Sequence, residues 1–336
     1  MRARGAGLIS AAQLARSPAW LPLDLVSTTD IRLLRLDEAA YRAASFLDQR
    51  LLAGSFERGH CTAAAVREAT DALLPRAHFV FHIGHVGSTL VARLIGEHAG
   101  LFALREPALL RTLKSDPDAA GASALRRALC LLSRTWHPRQ RAVIKVTSFV
   151  NEIAHELLST CPDAAAVILF VRPLQYLRGI LAGPNSRTEL RQLAPARWRR
   201  LLRLLGNVAV PAPASEGEWI AMSWLCEMAT LHAAVKSPSP AALWVDFDAF
   251  LQTPAPCLQA VFDALGAVVS EAQIQQMLQS PLMRQYSKAP EYAYDAQLRH
   301  EVLAQAEHEH APQIRRGMQW LQAAAGAHAL ARALVR

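Results

Sequence analysis

One short turn of this chain combines glycines and hydroxyl side chains in a way that suits anion binding. Residues 81–89 read FHIGHVGST, in which an apolar run leads into the turn and a segment of helix-forming residues, LVARLIGEHA, follows it. Glycine lets the backbone approach a ligand closely, and the amide groups at a helix N-terminus attract negative charge. Ser88 and Thr89 add hydroxyl donors. The turn therefore indicates an anion site, and the alternative is a tight turn with Ser88 or Thr89 as the N-cap.

This turn matches neither of the two common glycine motifs for nucleotides. A Walker A loop, GxxxxGK[ST], needs a glycine five residues before Gly87 and a lysine directly after it, but His82 and Ser88 occupy those positions. The dinucleotide fingerprint GxGxxG also fails, because Gly84 and Gly87 are three residues apart and no third glycine fits. The pattern thus argues against an ATP-hydrolysing P-loop while leaving an anion cradle possible.

Two ionisable residues near the ends of other apolar runs are candidates for catalysis. Glu106 follows the run LFALR, and its carboxylate could accept a proton from a hydroxyl group. The alternatives for Glu106 are a surface pair with Arg105 and an N-cap before Pro107. Lys145 lies in the run AVIKV, where a buried charge would need a partner. It could contact a bound anion, or extend its ammonium group into solvent at the sheet edge.

Arg172 is a candidate phosphate ligand. It follows the apolar run AAVILFV and precedes Pro173, which can open a helix. The planar guanidinium group of arginine can form two parallel hydrogen bonds with a phosphate, and the alternative is an ordinary salt bridge. The basic stretch RWRRLLRLL (197–205) could recognise an acidic substrate or close over a nucleotide, although such a run is more often the solvated face of a helix.

Five short apolar runs, separated by helical stretches, must position these residues. Runs that are apolar on both faces are typical of strands in a buried parallel sheet, and the helices between them provide the crossover connections. We therefore predict an α/β fold with a three-layer arrangement, in which ligands bind at the carboxyl ends of the strands. The runs are HFVFHI (78–83), LFALR (101–105), AVIKV (142–146), AAVILFV (165–171) and ALWVDF (242–247).

The remaining segments are predicted to be helical. Residues 1–75 show no obvious strand, and we interpret them as a helical N-terminal extension with residues 37–54 as its clearest amphipathic stretch. Residues 76–336 then form the α/β domain. Between the fourth and fifth runs, residues 187–206 and 216–235 are expected to form helices, some of which could cover the site.

In four places the sequence resembles the sulfotransferases, most closely the bacterial members. GHVGSTLVARLI is similar to the loop with which these enzymes bind the 5′-phosphosulfate of their donor, 3′-phosphoadenosine-5′-phosphosulfate (PAPS). LFALREPALL resembles a segment that carries glutamate followed by proline. AVILFVRPLQYLRGIL resembles the strand-to-helix turn whose arginine binds the 3′-phosphate, and WVDFDAFLQTPAPCLQAVFDALG resembles a later strand, acidic-aromatic turn and helix. The matches keep the family's order over residues 78–270.

The resemblance implies a P-loop-like fold and a PAPS-dependent sulfotransferase that needs no metal. Glu106 would then deprotonate the acceptor hydroxyl, while His85 and Lys145 stabilise transferring and leaving charge. Arg172 would bind the 3′-phosphate. The cradle of the 5′-phosphate would consist of Gly84, His85, Val86, Gly87, Ser88 and Thr89.

The sequence departs from the family at four positions. The basic residue of the family's loop falls at His85, and the serine that usually follows the 3′-phosphate arginine by eight residues falls at Ile180. The Lys-Thr-His turn of the cytosolic enzymes aligns with Lys145-Val146-Thr147, which lacks the histidine base. A late RKGxxG segment is only faintly matched by IRRGMQW (314–320).

The composition of the chain favours a folded protein with anionic partners. With 52% apolar and 19% charged residues the chain is expected to fold, and its net charge of +8 favours anionic partners. Five scattered cysteines without a CxxC pair support neither a disulfide framework nor a zinc site, which fits a cytoplasmic protein. We predict no signal peptide and no membrane span, because no apolar run reaches about 18 residues. We also predict no nucleic-acid-binding module, because the basic residues do not alternate with aromatic ones.

Two other functions remain open from the sequence. A phosphotransferase or kinase could use a degenerate form of the same cradle, and it would need magnesium. A non-catalytic nucleotide-binding protein would bind the nucleotide without turnover. The acceptor can be a small molecule or a biopolymer, since alcohols, phenols, sugars, lipids and peptides all carry a suitable hydroxyl group, and the sequence does not determine the oligomeric state.

Overall fold

The structure, a computed structural model, describes residues 7–25, 31–115, 121–206, 210–235, 242–286, 291 and 293–335. The strands within these residues are β1 (Gly7–Leu8), β2 (Trp20–Pro22), β3 (Ile31–Arg35), β4 (Arg58–Cys61), β5 (Ala77–His82), β6 (Leu101–Arg105), β7 (Arg141–Lys145), β8 (Ala166–Phe170) and β9 (Ala242–Asp246).

The helices of the described residues surround these strands. The first eight are α1 (Ala11–Arg16), α2 (Glu38–Ala43), α3 (Ala63–Asp71), α4 (Ser88–Ile95), α5 (Ala108–Ser115), α6 (Ala122–Leu132), α7 (Ala154–Thr160) and α8 (Pro173–Leu181). The others are α9 (Pro184–Leu204), α10 (Glu216–Ala234), α11 (Phe247–Gln252), α12 (Pro254–Ala264), α13 (Glu271–Gln279), α14 (Ala296–Ala327) and α15 (Ala329–Val335). Short 3₁₀ helices cover Gln49–Ala53, Ser148–Ile153 and Pro281–Arg284. None of the described helices combines the length and apolarity that crossing a membrane requires.

A parallel sheet in the order β6-β7-β5-β8-β9 forms the centre of the described structure. Its strands coincide with the five predicted runs to within one residue, and β6 matches its run completely. Consecutive residues of β5 to β8 are nearly all buried, so both faces of the sheet are covered, as expected for parallel strands joined by helices. The predicted α/β fold is confirmed.

The order of the strands places a crevice between β5 and β8. From β5 the chain leads to β6 on one side of the sheet, whereas from β8 it leads to β9 on the other side. Ligands of open α/β sheets bind at such a switch point, outside the carboxyl ends of the strands. In this chain the turn at 83–87 and the start of α8 meet there.

The segment before the parallel sheet is not purely helical, which corrects the prediction for residues 1–75. A four-stranded mixed sheet in the order β1-β4-β3-β2 lies there, with α1, α2 and α3 around it. Its strands are two to five residues long. Such strands are too short for an alternating pattern to emerge from the sequence. The amphipathic stretch 37–54 is likewise divided into α2 and a 3₁₀ helix, and a domain boundary near residue 76 stays a prediction.

The N-terminal sheet is packed into the protein on both sides. Trp20, Ile31 and Leu33 belong to a small core of their own, whereas Leu34 and Tyr41 contribute to the main core beside the parallel sheet. Because both faces exclude water, this segment is fixed against the α/β part by apolar burial.

Three long helices pack against one another and against α8, which begins at the crevice. The two helices predicted over 187–206 and 216–235 are confirmed as α9 and α10, and α14 packs against α10. A side chain at Gly217 would have its Cβ 1.8 Å from the carbonyl oxygen of Gln313, so α10 and α14 can approach this closely only through glycine. This contact fixes α14, whose first turns reach the crevice.

Candidate functional site

The GHVGST turn joins β5 to α4 through an unusual backbone. Gly84, His85 and Gly87 have φ angles of 91°, 56° and 67°, and glycine is the residue that adopts these values without cost. A Cβ at Gly87 would lie 2.0 Å from the ring of Phe247, so this ring covers the middle of the turn. Gly87 is therefore required both by the backbone and by the packing of Phe247.

The start of α4 has the properties of an anion site. Its N-cap is Gly87, which has no side chain to bind the first amide groups, so the alternative in which Ser88 or Thr89 caps the helix is wrong. Ser88 and Thr89 are 5% and 3% exposed, and Thr89 Oγ1 has no hydrogen-bond partner in the described part of the chain. A buried hydroxyl without a partner is costly, and a phosphate oxygen would satisfy it. The turn thus fits the phosphate that the resemblance assigns to it.

Glu106 and Lys145 form a buried ion pair at the same edge of the sheet. Lys145 is 1% exposed, and its Nζ donates to Glu106 Oε1, while the Nη2 of Arg111 donates to Glu106 Oε2 at 2.9 Å. Lys145 therefore does not extend into solvent. Arg105 does not pair with Glu106 at the surface, since it is buried itself and donates to the carbonyl groups of Tyr41, Arg42 and Ala44. The surface pair of Glu106 with Arg105 and the solvent-exposed ammonium of Lys145 are therefore wrong.

The backbone at Glu106 is strained in the same way as the backbone at His85. Among the described residues, these are the two that have a positive φ without being glycine, with values of 52° and 56°. A left-handed backbone costs a non-glycine residue about 1–3 kcal/mol and persists where the surrounding structure imposes it, often at active sites. Two of the three residues that sequence reasoning named as catalytic, His85 and Glu106, thus share a feature typical of functional positions.

His82 is a candidate that the sequence analysis missed. It ends β5, is 6% exposed, and its Nδ1 accepts a hydrogen bond from the amide of Gly84 at 3.0 Å. In the neutral imidazole the proton therefore lies on Nε2, which is 4.0 Å from Glu106 Oε1. A histidine at the end of a buried strand, three residues before His85, was the signal that could have identified it.

Two cavities meet at His82 and His85. The first, with a volume of about 580 Å³, is lined by both histidines together with Glu106, Arg111 and Thr147. The second, of about 500 Å³, is lined by both histidines, by residues 86–90 of the turn and α4, and by aromatic side chains. The Glu106 carboxylate and the anion cradle therefore face different cavities, with the two histidines on the boundary between them.

His85 is held in place at this boundary by α9. Its Nδ1 lies 3.2 Å from the hydroxyl of Ser186 and its Nε2 lies 3.6 Å from Glu189 Oε2. The imidazole is about one-fifth exposed, so it can contact a ligand from either cavity.

The structure does not bring Arg172 to the other candidates. Its side chain is 70% exposed, and its Nε lies 3.6 Å from Asp246 Oδ2, outside the residues that line the second cavity. Arg299 of α14 does line that cavity. Its guanidinium donates to Asp248 Oδ1 at 2.6 Å and lies 5.5 Å from the centre of the Phe247 ring. Sequence reasoning missed Arg299 because it is distant in the chain and lies on an ordinary helix.

A second buried ionic cluster lies next to the end of β5, where the turn begins. Glu227 of α10, fully buried, binds Arg197 and Arg200 of α9, so two residues of the predicted basic stretch lie inside the protein and not on a solvated face. Burial raises the pKa of Glu227, but the two arginines outweigh this and hold it below its ordinary value. The side-chain amide of Asn151 links Glu227 Oε2 to the carbonyl oxygen of His82, at 2.8 and 2.9 Å. The cluster therefore fixes the end of β5.

No group of three or more histidine, cysteine or acidic side chains in the described residues is arranged to hold a metal ion. Neither a protein-family model nor a curated protein sequence matches the chain.

Several solved structures are similar to this chain. The sulfotransferase domain from the curacin biosynthetic pathway is 15% identical with a TM-score of 0.43, covering 70% of this chain and 91% of that domain. Sulfotransferase STF9 from Mycobacterium avium is 10% identical with a TM-score of 0.41, covering 71% and 78%. Mouse sulfotransferase SULT7A1, complexed with PAP, is 12% identical with a TM-score of 0.40, covering 77% and 88%. These structures come from sulfotransferases, the family that the sequence motifs resemble.

Proposed function

We propose that this protein is a PAPS-dependent sulfotransferase that transfers a sulfuryl group to an acceptor hydroxyl. One observation carries the proposal: an anion cradle and a buried carboxylate face two cavities that meet at His82 and His85. Sulfuryl transfer needs such an arrangement, since donor and acceptor must meet in line with little covalent participation by the protein. Positioning and electrostatic stabilisation would then provide most of the rate enhancement.

The second cavity is the proposed donor site. The amide groups at the start of α4 and the hydroxyls of Ser88 and Thr89 would hold the 5′-phosphate, while the rings of Tyr286 and Tyr294, which line the same cavity, would contact the nucleoside. When bound, PAPS would contribute the sulfuryl group and a phosphate leaving group. Arg299 is the arginine of the described residues that stands in this cavity, and the role assigned to Arg172 stays a prediction that needs the side chain to move.

The first cavity is the proposed acceptor site. Lys145 binds one oxygen of the Glu106 carboxylate and Arg111 binds the other, and a carboxylate in this cavity would accept the acceptor's proton. Lys145 and Arg111 orient this carboxylate. The Nε2 of His82, on the side of Glu106, would donate to an oxygen near the boundary of the two cavities.

His85 replaces the loop's basic residue in this proposal. We expect His85→Ala to lose about 2–4 kcal/mol of transition-state stabilisation in kcat/KM, the scale of one such electrostatic contact, whereas His85→Lys keeps activity. Steady-state kinetics of both variants would measure this. His155→Ala, at an exposed position of α7, is the control. Equal rates for wild type and His85→Ala would remove His85 from the mechanism.

One titration tests the proposed function as a whole. Calorimetry should show that adenosine 3′,5′-bisphosphate binds to the protein and that ATP with magnesium binds more weakly. Preference for ATP with magnesium would favour a phosphotransferase. Binding of the bisphosphate without sulfuryl transfer from PAPS to any acceptor would favour a non-catalytic nucleotide-binding protein. If the protein binds neither nucleotide, the proposed function is wrong.

A further inference from the structure

We propose that the acceptor is a hydroxyl-rich molecule of the kind represented by mono- and disaccharides, and that the segment 46–52 of the N-terminal sheet region selects it. This inference rests on the proposed function, because it takes the first cavity as the acceptor site. It assigns a role in substrate choice to a part of the chain that lies outside the parallel sheet and outside the sulfotransferase motifs.

Part of the lining of the first cavity comes from the N-terminal region. Asp48, Gln49 and Arg50 line it there, and Glu189 and Gln192 of α9 line it as well. The volume of about 580 Å³ is within the range of small-molecule sites. These side chains are planar groups with donors or acceptors, so together they can bind neighbouring hydroxyls of one ligand.

Each of the two aromatic rings that line this cavity carries a guanidinium group over one face. The guanidinium of Arg50 lies 3.3 Å from the centre of the Phe46 ring, and that of Arg111 lies 4.9 Å from the centre of the Phe149 ring. A phenol or a sterol would normally be recognised by stacking on such faces or by packing between apolar walls. Here it would displace water from carboxylates and guanidinium groups without replacing their hydrogen bonds, which is unfavourable.

The segment is rigidly attached to the strand that precedes Glu106. The amide of Leu47 donates to the carbonyl oxygen of Arg105 at 2.7 Å, and the amide of Ala108 donates to the carbonyl oxygen of Leu47 at 2.8 Å. Asp48, which is 4% exposed, accepts from Arg50, and its Oδ2 lies 3.6 Å from Arg111 Nη1. Because Arg111 also binds Glu106, this one arginine connects the segment 46–52 with the proposed base.

The test measures ligand binding to the protein loaded with adenosine 3′,5′-bisphosphate, so it needs no turnover. Saturation-transfer NMR would compare trehalose and glucose with 4-nitrophenol. We expect the sugars to bind and 4-nitrophenol to bind at least tenfold more weakly. Tighter binding of 4-nitrophenol, or no binding of either sugar, would overturn the inference. Failure of the wild-type protein to bind the bisphosphate would instead reject the proposed function. Failure of this inference can therefore be distinguished from failure of the proposed function.

Two variants test whether the segment 46–52 selects the acceptor. Gln49→Ala removes an exposed cavity side chain, and Asp48→Asn keeps the side-chain oxygen that accepts from the amide of Arg50 while removing the charge. Each should raise the dissociation constant of trehalose at least fivefold and leave that of the bisphosphate within twofold. Glu57→Gln, an exposed position of the same region, is the matched control. Unchanged sugar affinity in both variants would contradict the proposal that the segment 46–52 selects the acceptor.

Discussion

Replacing Glu106 with glutamine is expected to lower kcat by about 10²–10⁴-fold, the usual contribution of a positioned general base. The amide keeps the size of the carboxylate, but its single oxygen can accept from Lys145 or from Arg111 and not from both in their present positions, and it cannot take the acceptor's proton. The affinity for adenosine 3′,5′-bisphosphate should change little, since Glu106 faces the other cavity. Single-turnover rates across pH, together with calorimetry, would measure both quantities.

The same substitution should also destabilise the protein. Lys145 is 1% exposed, and breaking a buried ion pair on one side costs about 3–5 kcal/mol. The double variant Glu106→Gln with Lys145→Met removes the buried charge, so it should recover stability and remain inactive. Glu307→Gln, which breaks a half-exposed pair with Arg178, is the control for loss of a carboxylate. A rate within twofold of wild type for folded Glu106→Gln would exclude the role of base.

The placement of the turn, Glu106 and Lys145 on one edge of the sheet could be predicted because it depends on strand direction alone. Carboxyl ends of parallel strands lie at one edge of a sheet, and the order β6-β7-β5 then makes these three strand ends neighbours. Strand β6 ends at Arg105 and β7 ends at Lys145, and these two residues are register partners. Local apolar patterns therefore sufficed for the sheet and for this part of the site.

The rest of the site depends on contacts between distant segments. Asp48 reaches the cavity through short strands and a 3₁₀ helix that have no periodic pattern, and Arg299 reaches it through the packing of α14 on α10. Arg172 shows the opposite case: its position at a strand end predicted a site residue, but its side chain pairs with Asp246. Side-chain direction at a strand end is decided by tertiary partners, which local sequence does not specify.

The buried cluster around Glu227 is expected to contribute strongly to the stability of the protein. We expect Glu227→Gln to lower the free energy of unfolding by about 3–5 kcal/mol at neutral pH, because Arg197 and Arg200 would remain buried without a counter-charge. Glu152→Gln removes an exposed pair between another carboxylate and Arg203 of the same helix, and it should cost at most about 1 kcal/mol. Urea denaturation of the three proteins would measure the difference.

The pH dependence distinguishes the charge of Glu227 from its packing. Because the folded-state pKa is held below the ordinary value of 4.5, the ionised carboxylate contributes stability that is fully present above that value and lost as pH falls through the folded pKa. The stability difference between wild type and Glu227→Gln should therefore be constant from pH 7 to about 5.5 and shrink below 4.5. A difference that stays the same at acid pH would mean that packing, and not charge, explains the effect.

Glu227 also connects this cluster to the anion cradle. Asn151 donates to Glu227 and to the carbonyl oxygen of His82, and Arg197 donates to the hydroxyl of Ser148 at 3.4 Å, next to Gly84. With two arginines and one carboxylate, the cluster leaves one positive charge under a turn that contains neither lysine nor arginine. Arg197→Met should therefore weaken binding of adenosine 3′,5′-bisphosphate more than Arg200→Met, because Arg197 is the one that lines the space beneath Gly84. Equal losses in both variants would mean that the cluster acts only through stability.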